Sequence, residues 1–260
     1  MSRVQVLVAT MHQKSGDYSL LKKMNIQTDT IVCNQCNRNE FEEFEWKGHN
    51  IKWLSFSEKG VGLNRNNALI RATGEYILFA DDDMIYASDY EKKVVSAFRK
   101  YTKASVIAFN LKEPIVTRYV INKPEKVGYL NYLRYGTARI AVKLSDIKIN
   151  GVFFNQCFGG GTEHCHGEDN LFLTECLKKG LKINAVPVYI AALIEERKSS
   201  WNNGYDEKYL RDQGILYRII SKYYWKLLCL QDIIRHKNQY GNENWTYYYK
   251  IMTNRSRRHK

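Results

Sequence analysis

The chain has 260 residues, of which 44% are hydrophobic and 26% are charged. This is the composition of a globular protein, and it excludes an intrinsically disordered chain. The formal net charge of +13 favours an anionic partner, such as a nucleotide, a nucleic acid or an anionic lipid headgroup.

Apolar runs and turn residues divide the chain into alternating strands and helices. The predicted strands are residues 4–9, 30–33, 51–56, 76–80, 105–110, 139–143 and 183–190. The predicted helices are residues 18–24, 60–72 after its glycines, 89–101, 168–179, 209–224, 225–236 and 245–252. Residues 39–49 are acidic and polar and are expected on the surface, and residues 112–150 show little regular periodicity. This alternation predicts an α/β fold, with a mostly parallel sheet flanked by helices and a helical C-terminal extension.

The expected location is the cytoplasm. The apolar run at residues 4–9 is too short for the core of a secretory signal, and no run approaches the roughly 20 residues that span a bilayer. The six cysteines are therefore expected as reduced thiols. Cys33 and Cys36 form a C-x-x-C pair without the second pair that a typical zinc site needs, so a metal or redox role is the less favoured alternative to packing.

The predicted strand at residues 76–80 ends in three consecutive carboxylates, Asp81, Asp82 and Asp83. Three adjacent negative charges repel one another unless a cation lies among them. Carboxylate oxygens suit Mg²⁺ or Mn²⁺, and Mg²⁺ is often held by one or two carboxylates together with substrate phosphates. Ligands of open α/β sheets bind beyond the carboxyl ends of the strands. A metal and diphosphate site is therefore one interpretation, and a solvated acidic turn is the other.

A second acidic cluster follows a glycine-rich turn at residues 159–161. Glu168 and Asp169 lie at the predicted N-terminus of a helix, where an acidic pair caps the helix and complements its dipole. The functional alternative is a general base that accepts a hydroxyl proton. His164 and His166 lie close by in sequence, and we expect them on the acceptor side of such a site or in a structural role rather than as metal ligands.

Several segments together resemble family 2 glycosyltransferases of the GT-A fold. They read Gly60-Val-Gly-Leu-Asn-Arg-Asn66, Ala72-Thr-Gly-Glu-Tyr-Ile77 and Phe79-Ala-Asp-Asp-Asp83. The family has G-x-S-x-A-R-N, A-x-G-E-Y-I and D-x-D in this order, and Glu168-Asp169 resembles its acidic pair. The resemblance implies a GT-A catalytic domain, Rossmann-like, over residues 1–205, followed by a basic, aromatic helical extension over residues 206–260.

The resemblance also implies a reaction. Such enzymes, here of hexosyltransferase type, move a sugar with inversion from a nucleotide diphosphate, with a UDP-sugar expected, to a hydroxyl of a glycan acceptor. A polyprenyl-diphosphate-linked glycan of a bacterial capsule or exopolysaccharide is the expected acceptor. Mn²⁺ or Mg²⁺ would neutralise the charge that develops on the diphosphate leaving group, and the sugar would pass through an oxocarbenium-like state, as in glycoside hydrolysis.

The resemblance implies a role in the active site for each residue that matches a family motif. Asp169 is the implied catalytic base, and Glu168 is implied to hold the acceptor. Asp83 and Asp81 are the implied metal ligands. The implied donor contacts are Thr10, Asn34, Arg65, Asp81, Asp82, Lys198, Ser199 and Trp201. The last three belong to a segment interpreted either as a loop that closes over the diphosphate or as an ordinary surface loop.

The sequence departs from the family pattern at three places. Asn34 and Gln35 stand where an aspartate-rich turn usually reads the base, although an amide can still hydrogen-bond a uracil edge. Gly62 and Asn64 replace the usual serine and alanine. A histidine after the acidic helix is missing, and Glu195 or Glu196 falls near its place.

The basic, aromatic tail has three interpretations. Its helices could pack on the catalytic domain, lie on an anionic membrane surface at the inner face of the cell membrane, or bind nucleic acid, which is not expected because no recognised motif accompanies the charge. The candidate membrane-facing residues are Trp225, Leu227, Leu228, Leu230, Ile233 and Ile234. Two other functions stay open, namely a non-catalytic nucleotide-sugar or polyanion-binding protein on the same fold and a metal-dependent nucleotidyltransferase.

Overall fold

The computed structural model describes residues 3–116, 118–194 and 204–254. The strands are β1 (Val4–Met11), β2 (Thr30–Gln35), β3 (Glu40–Trp46), β4 (His49–Phe56), β5 (Tyr76–Asp81), β6 (Met84–Tyr86), β7 (Val106–Lys112), β8 (Glu125–Val127), β9 (Ile140–Lys143) and β10 (Ile183–Leu193). The helices are α1 (Ser19–Lys23), α2 (Val61–Arg71), α3 (Tyr90–Lys100), α4 (Leu144–Ile149), α5 (Glu168–Lys178), α6 (Glu207–Ile220), α7 (Trp225–Tyr240) and α8 (Trp245–Thr253). Two 3-10 turns lie at Tyr132–Arg134 and Thr137–Arg139.

All ten strands belong to one mixed sheet with the order β3-β4-β2-β1-β5-β9-β7-β10-β6, and β8 pairs with β10. Strands β4, β2, β1 and β5 are parallel neighbours, as are β7 and β10. Strand β9 lies between β5 and β7 and is antiparallel to both, so β5 and β7 point in the same direction. The C-terminal ends of β1, β2, β5 and β7 therefore meet at one edge of the sheet. The α/β prediction is confirmed. The sheet is less parallel than expected, because β9, from the segment 112–150 without regular periodicity, inserts antiparallel between β5 and β7.

Helices cover both faces of the sheet, which explains why β1 and β5 are mostly apolar. Side chains alternate between the two faces along a strand, so Val6 packs into one core with α1 and α3, and Leu7 packs into the other with α2 and α5. Phe79 of β5 makes edge contacts with Phe154 and Phe172 in the second core. The result is a three-layer arrangement of helices, sheet and helices.

Several short elements were not predicted. Strand β3 occupies the segment expected only as polar surface; its side chains alternate between half-buried and exposed, and it pairs antiparallel with β4 at the edge of the sheet. Strands β6 and β8 and helix α4 also lie in segments without a predicted element. Helix α6 starts two residues earlier and ends four residues earlier than predicted.

The C-terminal helices α6, α7 and α8 pack around their own small core. Its buried residues are Leu210, Tyr217, Cys229, Ile233, Tyr240, Tyr248 and Met252. Gly214 brings α6 and α8 together, because a Cβ atom at this position would lie 1.9 Å from the Met252 carbonyl oxygen. Leu216 packs on the opposite side against Phe158 and Leu171, which joins α6 to the start of α5. None of the helices in the described ranges has the length and hydropathy that a bilayer span requires.

Candidate active site

Three of the five predicted acidic residues contact the side chain of Arg65. Its side chain is only 5% exposed, and its Nη2 donates to Asp81 Oδ1 at 2.8 Å. Its Nη1 donates to Glu168 Oε1 at 2.9 Å and to Asp169 Oδ1 at 3.1 Å. Burial lowers the pKa of this guanidinium, but the three carboxylates raise it by more, so Arg65 is a cation. One buried cation therefore joins the end of β5 to the start of α5.

The motif around Arg65 fixes α2 against the chain that precedes α5. A Cβ atom on Gly62 would lie 2.4 Å from the Asn155 carbonyl oxygen, so this close approach requires glycine where the family usually has serine. Asn66 Nδ2 donates to the Phe154 carbonyl oxygen at 2.9 Å, and Asn66 Oδ1 accepts from the Phe154 amide at 2.9 Å. The Arg65 guanidinium lies 5.5 Å from the centre of the Phe154 ring. These contacts hold Arg65 in a single position.

Glu168 and Asp169 differ in exposure and in their hydrogen bonds. The Asp169 side chain is 29% exposed, its Oδ2 accepts from the Thr137 amide at 3.0 Å, and its Oδ1 accepts from the Thr137 hydroxyl. The Glu168 side chain is 12% exposed. Burial and the neighbouring Asp169 charge raise the pKa of Glu168 to about 7, against the opposing effect of Arg65. Both residues also lie in the first turn of α5, so they complement the helix dipole as expected.

The ends of β1 and β5 are joined by polar side chains. Thr10 Oγ1 donates to Asp82 Oδ2 at 2.5 Å and accepts from Gln13 Nε2 at 2.8 Å. The Asp83 carbonyl oxygen accepts from the Ile194 amide at 2.9 Å. Asp82 and Asp83 line a cavity of about 410 Å³. Its other lining residues are Gln13, Ser19, Leu20, Lys23 and Ile194.

Asn34 is not at the cavity surface, contrary to its predicted contact with the base. It is fully buried, and its Nδ2 donates to the Gln13 carbonyl oxygen and to Ser55 Oγ, each at 3.1 Å. Its Oδ1 accepts from the Gln13 amide at 3.0 Å. Because both amide hydrogens are donated within the protein, Asn34 positions the loop after β1 and has no hydrogen left for a uracil edge.

A larger cavity of about 820 Å³ lies beyond the ends of β1 and β2. It is lined by Met11, His12, Gln13, Lys14, Gln35, Cys36, Asn37, Arg38, Glu58, Lys59 and Gly161. Arg38 is fixed there by hydrogen bonds to Glu40 at 2.7 Å and to the Gln13 carbonyl oxygen at 3.0 Å. The volume suits a small-molecule ligand, and the three basic side chains suit an anionic one.

The aspartate trio does not form a metal cage of its own. No three His, Cys, Asp or Glu side chains within the described ranges converge as metal ligands. Asp81 is held by Arg65 and Asp82 by Thr10. However, Mg²⁺ is commonly bound through one or two carboxylates, with substrate phosphates and water completing the shell. Asp83 at the 410 Å³ cavity fits a cation that arrives with a diphosphate.

The two histidines are held by α6. His164 Nδ1 lies 2.9 Å from Asp212 Oδ1, and His166 Nε2 lies 2.6 Å from Gln213 Oε1. Asp212 Oδ2 also accepts from the Cys165 amide at 3.0 Å. Burial lowers the pKa of His166, which favours its neutral form. These contacts agree with the structural alternative for the histidines.

Three of the predicted donor contacts, Lys198, Ser199 and Trp201, lie outside the described residues, as do Glu195 and Glu196, so their roles stay predictions. Conversely, the sequence did not point to Thr137, Gln13, Arg38 or Asp212 as parts of the site. Gln13 could have been suspected, because it follows the end of β1. The other three carry no motif or spacing that would have identified them.

Comparisons with known proteins bear on the family and the fold. Residues 26–154 match the family model described as glycosyl transferase family 2. Among solved structures, the chain is similar to the 1–349 fragment of S. aureus TarS in complex with UDP-GlcNAc, with 16% identity, a TM-score of 0.63, and coverage of 90% of this chain and 72% of that one. Similarity to the same fragment with UDP has a TM-score of 0.61. Against the longer TarS structure the TM-score is again 0.61, but only 43% of that chain is covered.

No curated protein sequence matches the chain. At 16% identity the likeness to TarS concerns the fold. The family match contains Arg65 and the aspartate trio, whereas Glu168 and Asp169 lie beyond its end. Residues 26–154 therefore form a domain of glycosyl transferase family 2, and the chain has the GT-A fold.

Proposed function

We propose that the protein is an inverting glycosyltransferase that moves a sugar from a UDP-sugar to a hydroxyl group of a bacterial surface glycan. The observation that carries this proposal is the position of Arg65, which binds Asp81 of the trio and Asp169 of the acidic pair at the same time. A donor held at the trio is thereby within reach of a base at residue 169. The UDP and UDP-GlcNAc complexes of TarS support a UDP-sugar as the donor class.

In this mechanism Asp169 takes the proton from the attacking hydroxyl. Its carboxylate is the more exposed of the acidic pair, and Thr137 fixes its orientation through both oxygens. The hydroxyl oxygen forms the new bond to the anomeric carbon as the bond to the diphosphate breaks, so a single displacement inverts this centre. Glu168 would hold the acceptor, while its Oε1 accepts a hydrogen bond from Arg65.

A divalent cation would be held by Asp83, with Asp81 beside it, and by the diphosphate of the donor. Bound there, Mn²⁺ or Mg²⁺ would neutralise charge on the leaving group. Arg65 adds a fixed positive charge at the same edge of the sheet, and Lys14, Arg38 and Lys59 add basic groups around the larger cavity. Asp82 and Thr10, joined by their hydrogen bond, are the proposed contacts to the ribose side of the nucleotide.

The C-terminal helices support a lipid-linked acceptor and a position at the inner face of the membrane. The α6–α7 surface is formed by the exposed side chains Tyr223, Tyr224, Leu227 and Ile234, with Lys222 and Lys226 among them. Apolar side chains interleaved with lysines suit the headgroup region of an anionic bilayer. This surface differs from the predicted one, because Ile233 is buried in the helical core and Tyr223 and Tyr224 take part instead.

The test is turnover of UDP-sugars with Mn²⁺, comparing the wild type with Asp169→Asn and Asp83→Asn. We expect Asp169→Asn to lower turnover about 100- to 10,000-fold, the usual contribution of general base catalysis, while UDP affinity is retained. Asp83→Asn should weaken UDP binding only when the metal is present. Asp89→Asn, at an exposed position on the N-terminal side of α3, is the matched control.

The products separate the alternatives. A glycosyltransferase releases UDP, whereas a nucleotidyltransferase would release pyrophosphate. A wild-type protein that binds UDP-sugars but never turns them over, with or without glycan acceptors, would establish the binding-protein alternative and refute the proposal.

A further inference from the structure

A third cavity, of about 340 Å³, lies at the C-terminal ends of β7 and β10, outside the residues assigned to the donor. Its charged and aromatic lining residues are Lys112, Glu113, Arg118, Tyr119, Arg139 and Tyr189. Because β7 and β5 point in the same direction, this cavity opens at the same edge of the sheet as the aspartate trio.

The unusual member of this cavity is Arg139, which is only 2% exposed. Its guanidinium donates to neutral acceptors, namely the carbonyl oxygens of Phe109 and Tyr119, both at 2.8 Å, and Asn110 Oδ1 at 3.0 Å. No carboxylate in the part of the chain that the structure describes lies within ion-pair distance of it. Burial lowers its pKa, which reflects the cost of keeping this charge away from water. A buried cation normally needs an anion.

The charges around Arg139 do not supply that anion. Lys112 and Arg118 add two cations to the lining, and Glu113 adds one carboxylate. Glu113 forms an ion pair with Arg118. Three cations against one carboxylate give the described lining a net charge of +2, which suits an anionic ligand.

The cavity is linked to the proposed catalytic base by one short turn. Thr137 and Arg139 are the two ends of the same 3-10 turn, so their backbones are at most about 7 Å apart. Thr137 binds Asp169, and Arg139 lines the cavity. The cavity and the proposed base are therefore connected through this turn.

Two tyrosines present partly exposed aromatic rings to the cavity. Tyr119 and Tyr189 are 40% and 39% exposed, so each presents part of its ring to a ligand. Arg134 stacks over the Tyr119 ring at 4.3 Å and holds it in place. Aromatic faces together with a few fixed polar groups are typical of small-molecule sites.

We propose that this cavity is an acceptor subsite that binds an anionic group of the acceptor glycan, either a phosphodiester or a carboxylate, through Arg139, Lys112 and Arg118. The proposal rests on the glycosyltransferase function proposed above and narrows its acceptor to a charged glycan. Arginine suits both anions, because its planar guanidinium matches the oxygens of each.

The test is binding of small anionic probes to the wild type and to Lys112→Gln/Arg118→Gln. Glycerophosphoglycerol probes a phosphodiester, methyl β-glucuronide probes a carboxylate, and methyl β-glucoside is the neutral reference. Both substituted side chains are exposed, so the fold is retained, and Lys92→Gln/Lys103→Gln removes two exposed lysines elsewhere as the matched control. UDP release from the UDP-sugar without acceptor is measured in every variant.

We expect at least one anionic probe to bind the wild type more tightly than the glucoside, in a salt-sensitive manner. Lys112→Gln/Arg118→Gln should weaken this binding about tenfold, since hydrogen bonds to charged groups are the stronger ones. The control variant and the rate of UDP release should not change. The stronger of the two anionic probes identifies the source of the charge.

Equal binding of the anionic and neutral probes, or equal weakening by the control variant, would overturn the subsite proposal while leaving the transferase intact. Absence of UDP release from the wild type, both without and with glycan acceptors, would instead overturn the proposed function.

Discussion

Replacing Arg65 with methionine tests the centre of the site, because it removes the one cation that Asp81, Glu168 and Asp169 share. Methionine has a similar length and no charge, so packing is largely kept. Removing one partner of a buried ion pair costs about 3–5 kcal/mol. Asp81 is 43% exposed and is partly stabilised by water, so we expect the lower end, about 3 kcal/mol. For a chain of this size that corresponds to a fall in Tm of roughly 6–12 °C.

The loss should depend on pH in a definite direction. The pKa of Glu168 is raised to about 7 by burial and Asp169, and Arg65 opposes this shift. Without Arg65, the folded-state pKa of Glu168 rises further above its unfolded value. A carboxyl group with a raised folded-state pKa stabilises the fold fully below its unfolded pKa, and this contribution is lost as the pH rises through the folded value. Arg65→Met should therefore lose more free energy of unfolding at pH 8 than at pH 5.

The assay is urea denaturation at pH 5 and pH 8 for the wild type, Arg65→Met, Glu168→Gln and the double variant. We expect Glu168→Gln to restore part of the stability that Arg65→Met loses at pH 8, because it removes one of three repelling carboxylates. Arg71→Met, exposed at the end of the same helix, should change stability by less than about 1 kcal/mol at either pH. A loss of the same size at both pH values, with no recovery in the double variant, would refute the shared-cation arrangement.

Three further predictions concern the C-terminal helices. Asp212→Asn should lower the free energy of unfolding, measured by urea denaturation, by about 1.5–3 kcal/mol, because Asp212 anchors the chain just before α5. It should also lower kcat with little change in UDP affinity, and an unchanged kcat would contradict this. Gly214→Ala should destabilise by about 1–3 kcal/mol, although alanine normally favours a helix, because its Cβ would meet the Met252 carbonyl oxygen; a higher Tm would argue against the close contact. Leu227→Ser/Ile234→Ser should reduce flotation with anionic vesicles without shifting Tm, and equal flotation would exclude the α6–α7 surface as the lipid contact.

The strands that the sequence predicted best are those whose burial is complete. Residues 76–80 are a continuous apolar run, and residues 4–9 are apolar except for Gln5, because helices cover both faces of the sheet. Strand β3 was missed because glutamate is depleted in strands, and only its pairing with β4 keeps this acidic segment extended. The antiparallel direction of β9 could not be predicted either, because the residues of a short strand do not show in which direction it pairs with its neighbours.

In the site, the sequence identified residue types but not their partners. Asp81 and Asp169 were recognisable from their motifs, and Arg65 was recognised as a functional residue. Its actual contacts are carboxylates separated from it by up to 104 positions, and periodicity does not carry that information. Asn34 shows the same limit, because its predicted role assumed free amide hydrogens that are donated to Gln13 and Ser55.

Helix α6 connects the catalytic carboxylates to the C-terminal surface, so the extension is part of the site and not an appendage. A Cβ atom built on Gly167, the residue before the acidic pair, would meet the Leu216 side chain at 2.7 Å, and Asp212 binds the preceding turn. Ile220, where α6 ends and the α6–α7 surface begins, is about 12 Å from Asp212 along the helix axis. If that surface lies on a bilayer, α6 sets the height of Asp169 above it. The acceptor hydroxyl must then be presented at that height, which would select glycans by the length of the chain that joins them to the lipid.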